Sequence, residues 1–130
     1  NHSEHRLKFS VIRKTIEQMK KEKLKVVLCA KDLAEARKFI ALKPDAIAFE
    51  DRKLIGSGKS ITKYESDDVA KFARMLNATK IVSLCGAGIS TAADVRAAFE
   101  LGCGGVLIAS AVADVSLKEA EKLLREIRKV

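Results

Sequence analysis

The sequence predicts an α/β fold of parallel strands joined by outer crossover helices. Two observations carry that expectation. Four short apolar runs each precede a stretch of helical periodicity, and the runs are continuously apolar, as strands are when both faces are covered. No long or low-complexity linker interrupts the alternation, so the chain is expected to be one domain over residues 1–130 with no internal boundary.

Taken in order, Ile12, Ile16 and Met19 recur at helical spacing and mark a first helix. Lys25 to Cys29 is the first apolar run. Asp32 followed by Glu35 has the spacing at which a cap and a returning carboxylate satisfy the free amides of a first turn, so a helix starts there. Ala46 to Glu50 is the second run, and Val69, Phe72, Ala73 and Leu76 form the stripe of the helix after it. Lys80 to Cys85 is the third run, followed by a helix capped at Ser90 or Thr91 and striped by Val95, Ala98 and Phe99. Gly105 to Ala109 is the fourth, and Ser116 with Glu119 caps a last helix whose stripe is Leu117, Ala120, Leu124 and Ile127. All four stripes are expected in the core. Such a repeat fits either a segment of a (β/α)8 barrel or an open doubly wound sheet, and periodicity does not choose between them.

Composition narrows the function classes. A chain of 130 residues can hide roughly two thirds of its unfolded surface, and 48% apolar with 32% charged residues is ordinary for a globular domain. The net charge of +8 could serve nucleic acid, but its basic residues are interleaved with acids, as in Glu119, Glu121 and Lys122, and lack stacking aromatics. A solvated surface is expected, no nucleic-acid partner, and at most a diffuse field that steers a small anion. Cys29, Cys85 and Cys103 lie far apart without metal spacing and are expected as buried free thiols of a cytoplasmic protein. No apolar run approaches the roughly 20 residues of a membrane span. The opening Asn1-His2-Ser3-Glu4 lacks an initiating Met, so the chain is expected to be one part of a longer or split protein.

The chemistry concentrates just after the apolar runs, because parallel strands present their C-terminal ends on one face. Glu50 ends an otherwise apolar run, and reads equally as a partly buried base or as an exposed acid opening a loop. Gly56-Ser57-Gly58, Gly86-Ala87-Gly88-Ile89-Ser90 and Ala109-Ser110 follow strands, and glycines there let backbone amides approach an anion, helped by the next helix dipole. His2 taken alone is an ordinary histidine.

Together these segments resemble the triosephosphate isomerase family. Asn1-His2-Ser3-Glu4-His5-Arg6 resembles its histidine motif, and Ala48 to Gly58 is similar to its catalytic glutamate and mobile lid. Leu84 to Ser90 and Gly105 to Ser110 resemble its phosphate-binding loops in their archaeal form. The resemblance covers the second half of the family's sequence and implies the second half of a (β/α)8 barrel. It implies interconversion of dihydroxyacetone phosphate and glyceraldehyde 3-phosphate without cofactor or metal. His2 matches the electrophile, Glu50 the base, and Glu4 an acidic residue behind the histidine. Amides at Ile55 or Gly56, Gly88, Ala109 and Ser110 match the phosphate ligands, and Cys29 a buried cysteine of the fifth strand. The family's asparagine and lysine from its first strand have no counterpart, so this chain alone is expected to be inactive and to pair with a complementary N-terminal half, the whole forming a homo-oligomer. Asp51-Arg52 replaces the proline-rich hinge of many archaeal lids, and His5 stands where arginine is common. A non-catalytic phosphate-binding half-barrel or open βα domain is the alternative; another phosphate-binding barrel enzyme explains the opening motif poorly.

Overall fold

The structure is a computed structural model that describes residues 1–57 and 59–130; Gly58, singled out above with the second glycine-rich segment, lies outside the described residues. Its elements are α1 (Phe9–Lys21), β1 (Val27–Ala30), α2 (Leu33–Ile40), β2 (Ala46–Phe49), α3 (Ile61–Tyr64), α4 (Ser66–Asn77), β3 (Val82–Cys85), α5 (Ala92–Glu100), β4 (Gly105–Val106), α6 (Ser110–Ala113) and α7 (Leu117–Ile127). The four strands form one sheet in the order β1-β2-β3-β4, and every adjacent pair is parallel. A doubly wound sheet reverses its strand order at a switch point. Here the order never reverses, and the sheet is an arc of a partial (β/α)8 barrel.

Register assigns the two faces. Val27, Ala46 and Val82 align on one, as do Cys29, Ala48, Leu84 and Gly105; Ala30, Phe49, Cys85 and Val106 align on the other. The second face lies under the helices: the Phe49 ring sits 5.1 Å from that of Phe72 on α4, and Phe39, Ile47, Leu76 and Val95 are buried with them. Each such side chain contributes about 1.5–3 kcal/mol when fully buried. On the concave face Val27 is 53% exposed and Val82 45%. The continuously apolar runs therefore describe coverage on both sides only for β2, all four residues of which are buried. β1 and β3 alternate, because the concave face has no opposite wall.

Several boundaries and packing expectations change. The first strand runs from Val27 to Ala30, not from Lys25, and the third starts at Val82, since the Thr79 hydroxyl turns back to the Leu76 carbonyl and takes Ile81 N–H. β4 keeps two residues of the expected five because it pairs only with β3. Ser116 and Glu119 form a complete capping box. Asp32 caps α2, but the Glu35 carboxylate goes to the Lys31 amide and to Arg6. Of the stripes, Phe99 is exposed; Ala98 and Phe99 flank Val95 on opposite sides, and Ala98 takes the buried side. Leu117 and Leu124 are also exposed, because α7 packs against α5 and α6 and has no neighbour on its far flank. Cys85 and Cys103 are buried, whereas Cys29 faces the open concavity and is only half-buried. No helix among the described residues is long and apolar enough to cross a membrane.

Candidate active site

The ladder continues one residue past the strands and so fixes the rim. Glu50 N–H donates to Ala30 O, and Gly86 N–H to Phe49 O. Glu50 folds across Gly86, where a Cβ would lie 3.1 Å from its Cγ and 3.2 Å from its Oε1, so glycine leaves the carboxylate its place. The side chain is buried, and among the described residues nothing hydrogen-bonds its Oε2. An unsatisfied buried carboxylate oxygen is costly and is a mark of function. The thiol of Cys29 is pushed up to about 12, first by burial and then by the negative Glu50 beside it, so it stays protonated.

His2 reaches this rim on an irregular segment held by local bonds. Asn1 Nδ2 donates to Cys29 O, and its Oδ1 accepts from Leu7 N–H. Arg6 bonds both Asn1 O and the Glu35 carboxylate. Burial alone would push Glu35 up, but Arg6 and the Lys31 amide outweigh it and hold the carboxyl below its usual range. His2 Nε2 lies 3.8 Å from Glu50 Oε2. On its other side Nδ1 accepts from Glu4 N–H at 3.4 Å, which leaves the ring proton on Nε2, towards Glu50. Glu4 touches the ring edge chiefly through that amide; its exposed carboxylate stands 3.6 Å from Nδ1.

The turn after β3 is held from two sides. Gly88 has φ +69°, and a Cβ there would fall 1.9 Å from Lys59 O, so the end of the loop after β2 lies directly on it. Ile61 N–H donates to Ala87 O across the same junction. Thr91, not Ser90, caps α5, and Asp94 Oδ2 accepts from Ser90 N–H, Thr91 N–H and the Thr91 hydroxyl. Burial would raise the Asp94 carboxyl, but those bonds outweigh it and keep it ionised below the usual range. The dipole end of α5, expected to help hold an anion, is thus already occupied by this carboxylate, and Gly88 and Ile89 present the remaining turn amides. Sequence reasoning missed Asp94, although Thr91 and Asp94 have capping-box spacing.

His2, Glu50, Ile55, Gly56, Gly88, Ala109 and Ser110 line one cavity of about 540 Å³, together with Ala87, Ile89, Ser90, Leu107 and Ile108. That volume is in the range of small-ligand sites. Glu4 lies outside it. Ala109 precedes the short α6, which begins at Ser110. Ser90, read both as the end of the glycine-rich turn and as a cap candidate, stands on the cavity wall. Behind the front of the β2 loop, Glu65 is pushed up to about 7, first by burial and then by its hydrogen bond to negative Asp51, while that bond holds Asp51 below its usual range.

The profile of the triosephosphate isomerase family matches residues 1–127. Triosephosphate isomerase of Cenarchaeum symbiosum is 41% identical over 115 residues, covering 86% of this chain and 51% of the relative. The enzyme of Pyrobaculum calidifontis is 38% identical, over 99% of this chain and 57% of its own length. The chain therefore spans about half the length of the curated relatives it matches. Among solved structures, one titled "Native KDPGal structure" superposes with a TM-score of 0.69 at 13% identity, over 90% of this chain and 52% of its own. A mutant flavocytochrome b2 with pyruvate bound gives 0.67 at 19% identity, over 90% of this chain and 32% of its own. At such identity the likeness is one of fold alone. By the match along nearly its whole length, the chain belongs to the triosephosphate isomerase family.

Proposed function

We propose that this chain supplies the base, the electrophile and the phosphate-holding turns of a triosephosphate isomerase that interconverts dihydroxyacetone phosphate and glyceraldehyde 3-phosphate. The supporting observation is the meeting of His2 Nε2 and Glu50 Oε2, 3.8 Å apart, in the cavity that the Gly56, Gly88 and Ser110 segments complete. The family is itself the standard example of a carboxylate base beside a neutral histidine.

The steps follow from the geometry. Glu50, through the oxygen that no described residue satisfies, takes a proton from the carbon beside the substrate carbonyl; the electron pair moves into a carbon–carbon double bond and leaves an enediolate. His2 donates from Nε2 to the developing oxyanion. The protonated Glu50 then returns its proton to the neighbouring carbon while the hydroxyl proton passes from the first oxygen to the second by way of His2 Nε2, which exchanges ketose for aldose with no net change in atoms or electrons. Amides at Ile55 or Gly56, Gly88, Ala109 and Ser110 hold the phosphate, and closure of the 51–60 segment excludes water.

The positive charge that this chemistry requires beside the enediolate belongs, in the family, to a lysine of the other half-barrel. The chain acts in a complete barrel, cytoplasmic and homo-oligomeric. Mixing this chain with a separately produced N-terminal half of an archaeal relative should restore isomerisation absent from either part. A stable complex that binds phosphoglycolate without turnover would establish the non-catalytic phosphate-binding alternative instead.

A further inference from the structure

We infer that Asp94 is a positioning residue of the proposed phosphate site, holding the Gly88–Ser90 turn so that the Gly88 and Ile89 amides face the cavity. The inference rests on the proposed phosphate grip but reaches a residue that never touches the ligand. Asp94 is 2% exposed, lies outside the cavity lining, and binds the turn from behind.

The bonding accounts for the role. Asp94 Oδ2 accepts from Ser90 N–H at 3.2 Å, Thr91 N–H at 3.0 Å and the Thr91 hydroxyl at 2.8 Å. A helix cap needs only the last residues of that set; the bond to Ser90 reaches back into the turn. By taking the Ser90 and Thr91 amides, the carboxylate removes two donors that would otherwise compete for an anion at the helix end. Ala87 at φ +74° and Gly88 at φ +69° are consecutive left-handed residues, a conformation that costs energy at Ala87 and persists where its surroundings fix it. Asp94 fixes the C-terminal side of that pair, and the Lys59–Ser60 backbone and Ile61 N–H fix the other. Among the described residues nothing hydrogen-bonds the buried Asp94 Oδ1, and Lys63 Nζ on α3 lies 3.8 Å from it. The helix that ends the 51–60 segment and the helix that begins behind the turn therefore meet across this carboxylate.

The test separates positioning from helix capping. Inorganic phosphate is titrated calorimetrically into the intact chain and into Thr91→Ala, Asp94→Ala and Asp94→Asn, with the unfolding midpoint measured for each. Thr91→Ala removes the cap hydroxyl and leaves the Ser90 bond available; it should lower the midpoint and keep phosphate affinity within about two-fold, since the two bonds it loses, from the hydroxyl to the Asp94 carboxylate and from Asp94 N–H to the hydroxyl, both lie outside the turn. Asp94→Ala should weaken phosphate by about ten-fold or more, the worth of a lost bond to a charged group. Asp94→Asn, isosteric and still able to accept from Ser90 N–H, should recover most of that affinity and keeps the test alive if the alanine variant does not fold. Equal affinity in the aspartate variants and the parent, or losses that simply follow the midpoint in all three, would overturn the inference. Backbone 15N relaxation of Gly88 and Ile89 reads the same question without ligand: disorder in Asp94→Ala but not in Thr91→Ala supports the role. A parent chain that binds no phosphate yet shows that relaxation difference would sink the proposed site while upholding Asp94 as the holder of the turn.

Discussion

The two ends of the sheet treat their charged groups in opposite ways. At the C-terminal rim, Glu50 is buried with an oxygen that no described residue satisfies, and three consecutive strand ends turn around one cavity. At the other end, Asp45 is satisfied twice, by Lys25 Nζ at 2.8 Å and Val26 N–H at 2.9 Å, and stands in solvent. An isolated buried charge is destabilising and a paired exposed one is nearly neutral. The rim therefore carries a cost that folding alone gives no reason to retain, and the opposite end carries none.

Replacing the unsatisfied group gives the sharpest contrast. In an assembled barrel, Glu50→Gln should cut kcat by about 10²–10⁴-fold, the usual worth of a positioned general base. It should leave the unfolding midpoint unchanged or higher, because it removes an uncompensated buried charge. A loss of stability without loss of turnover would reverse the reading of the rim.

The next largest effect is conformational. Gly88→Ala combines a left-handed backbone with a Cβ placed against Lys59 O, and should cost about 2–5 kcal/mol in urea unfolding. Gly56→Ala shares the φ of +69° but meets nothing among the described residues within 4 Å, so it should cost only about 1–2 kcal/mol. Equal costs would show that the junction between the 51–60 segment and the β3 turn is not closely packed.

Acid and base separate the ends more gently. Glu65, near the rim, binds its proton more tightly folded, at about 7 against an ordinary 4.5, so its stabilising share is full below 4.5 and is lost as pH rises through about 7. Asp45, with Lys25 donating to it, is held below its ordinary 3.8, so its share is present above 3.8 and is lost as pH falls. Asp51 adds to the acid limb through its bond to Glu65, and the two rim carboxyls titrate as a pair. Midpoints measured across this range should fall on both sides, and Glu65→Gln should flatten the neutral limb.

Much of the fold was legible because it is local. The caps at Asp32 and Ser116 and the stripe from Val69 to Leu76 depend on neighbours within a turn or two. Phe99, Leu117 and Leu124 were misplaced because burial depends on which helix lies alongside, and stripes do not carry that information. The strand-end positions of Glu50 and Gly88 could be read from where apolar runs stop. That Glu50 lies over Gly86, and that the helix end behind the turn is already filled by Asp94, follows from contacts across strands and loops. The attachment of His2 was equally hidden, since it depends on Asn1 bonding Cys29 O across 28 positions.

That attachment has its own consequence. The imidazole rides on a tether, not on the sheet, and the tether is fastened by one amide side chain and by the Arg6–Glu35 ion pair. Its alignment with Glu50 should loosen as ionic strength rises, while the carboxylate, anchored in the β-ladder, stays put. Salt would then blur the position of His2 before it disturbs that of Glu50.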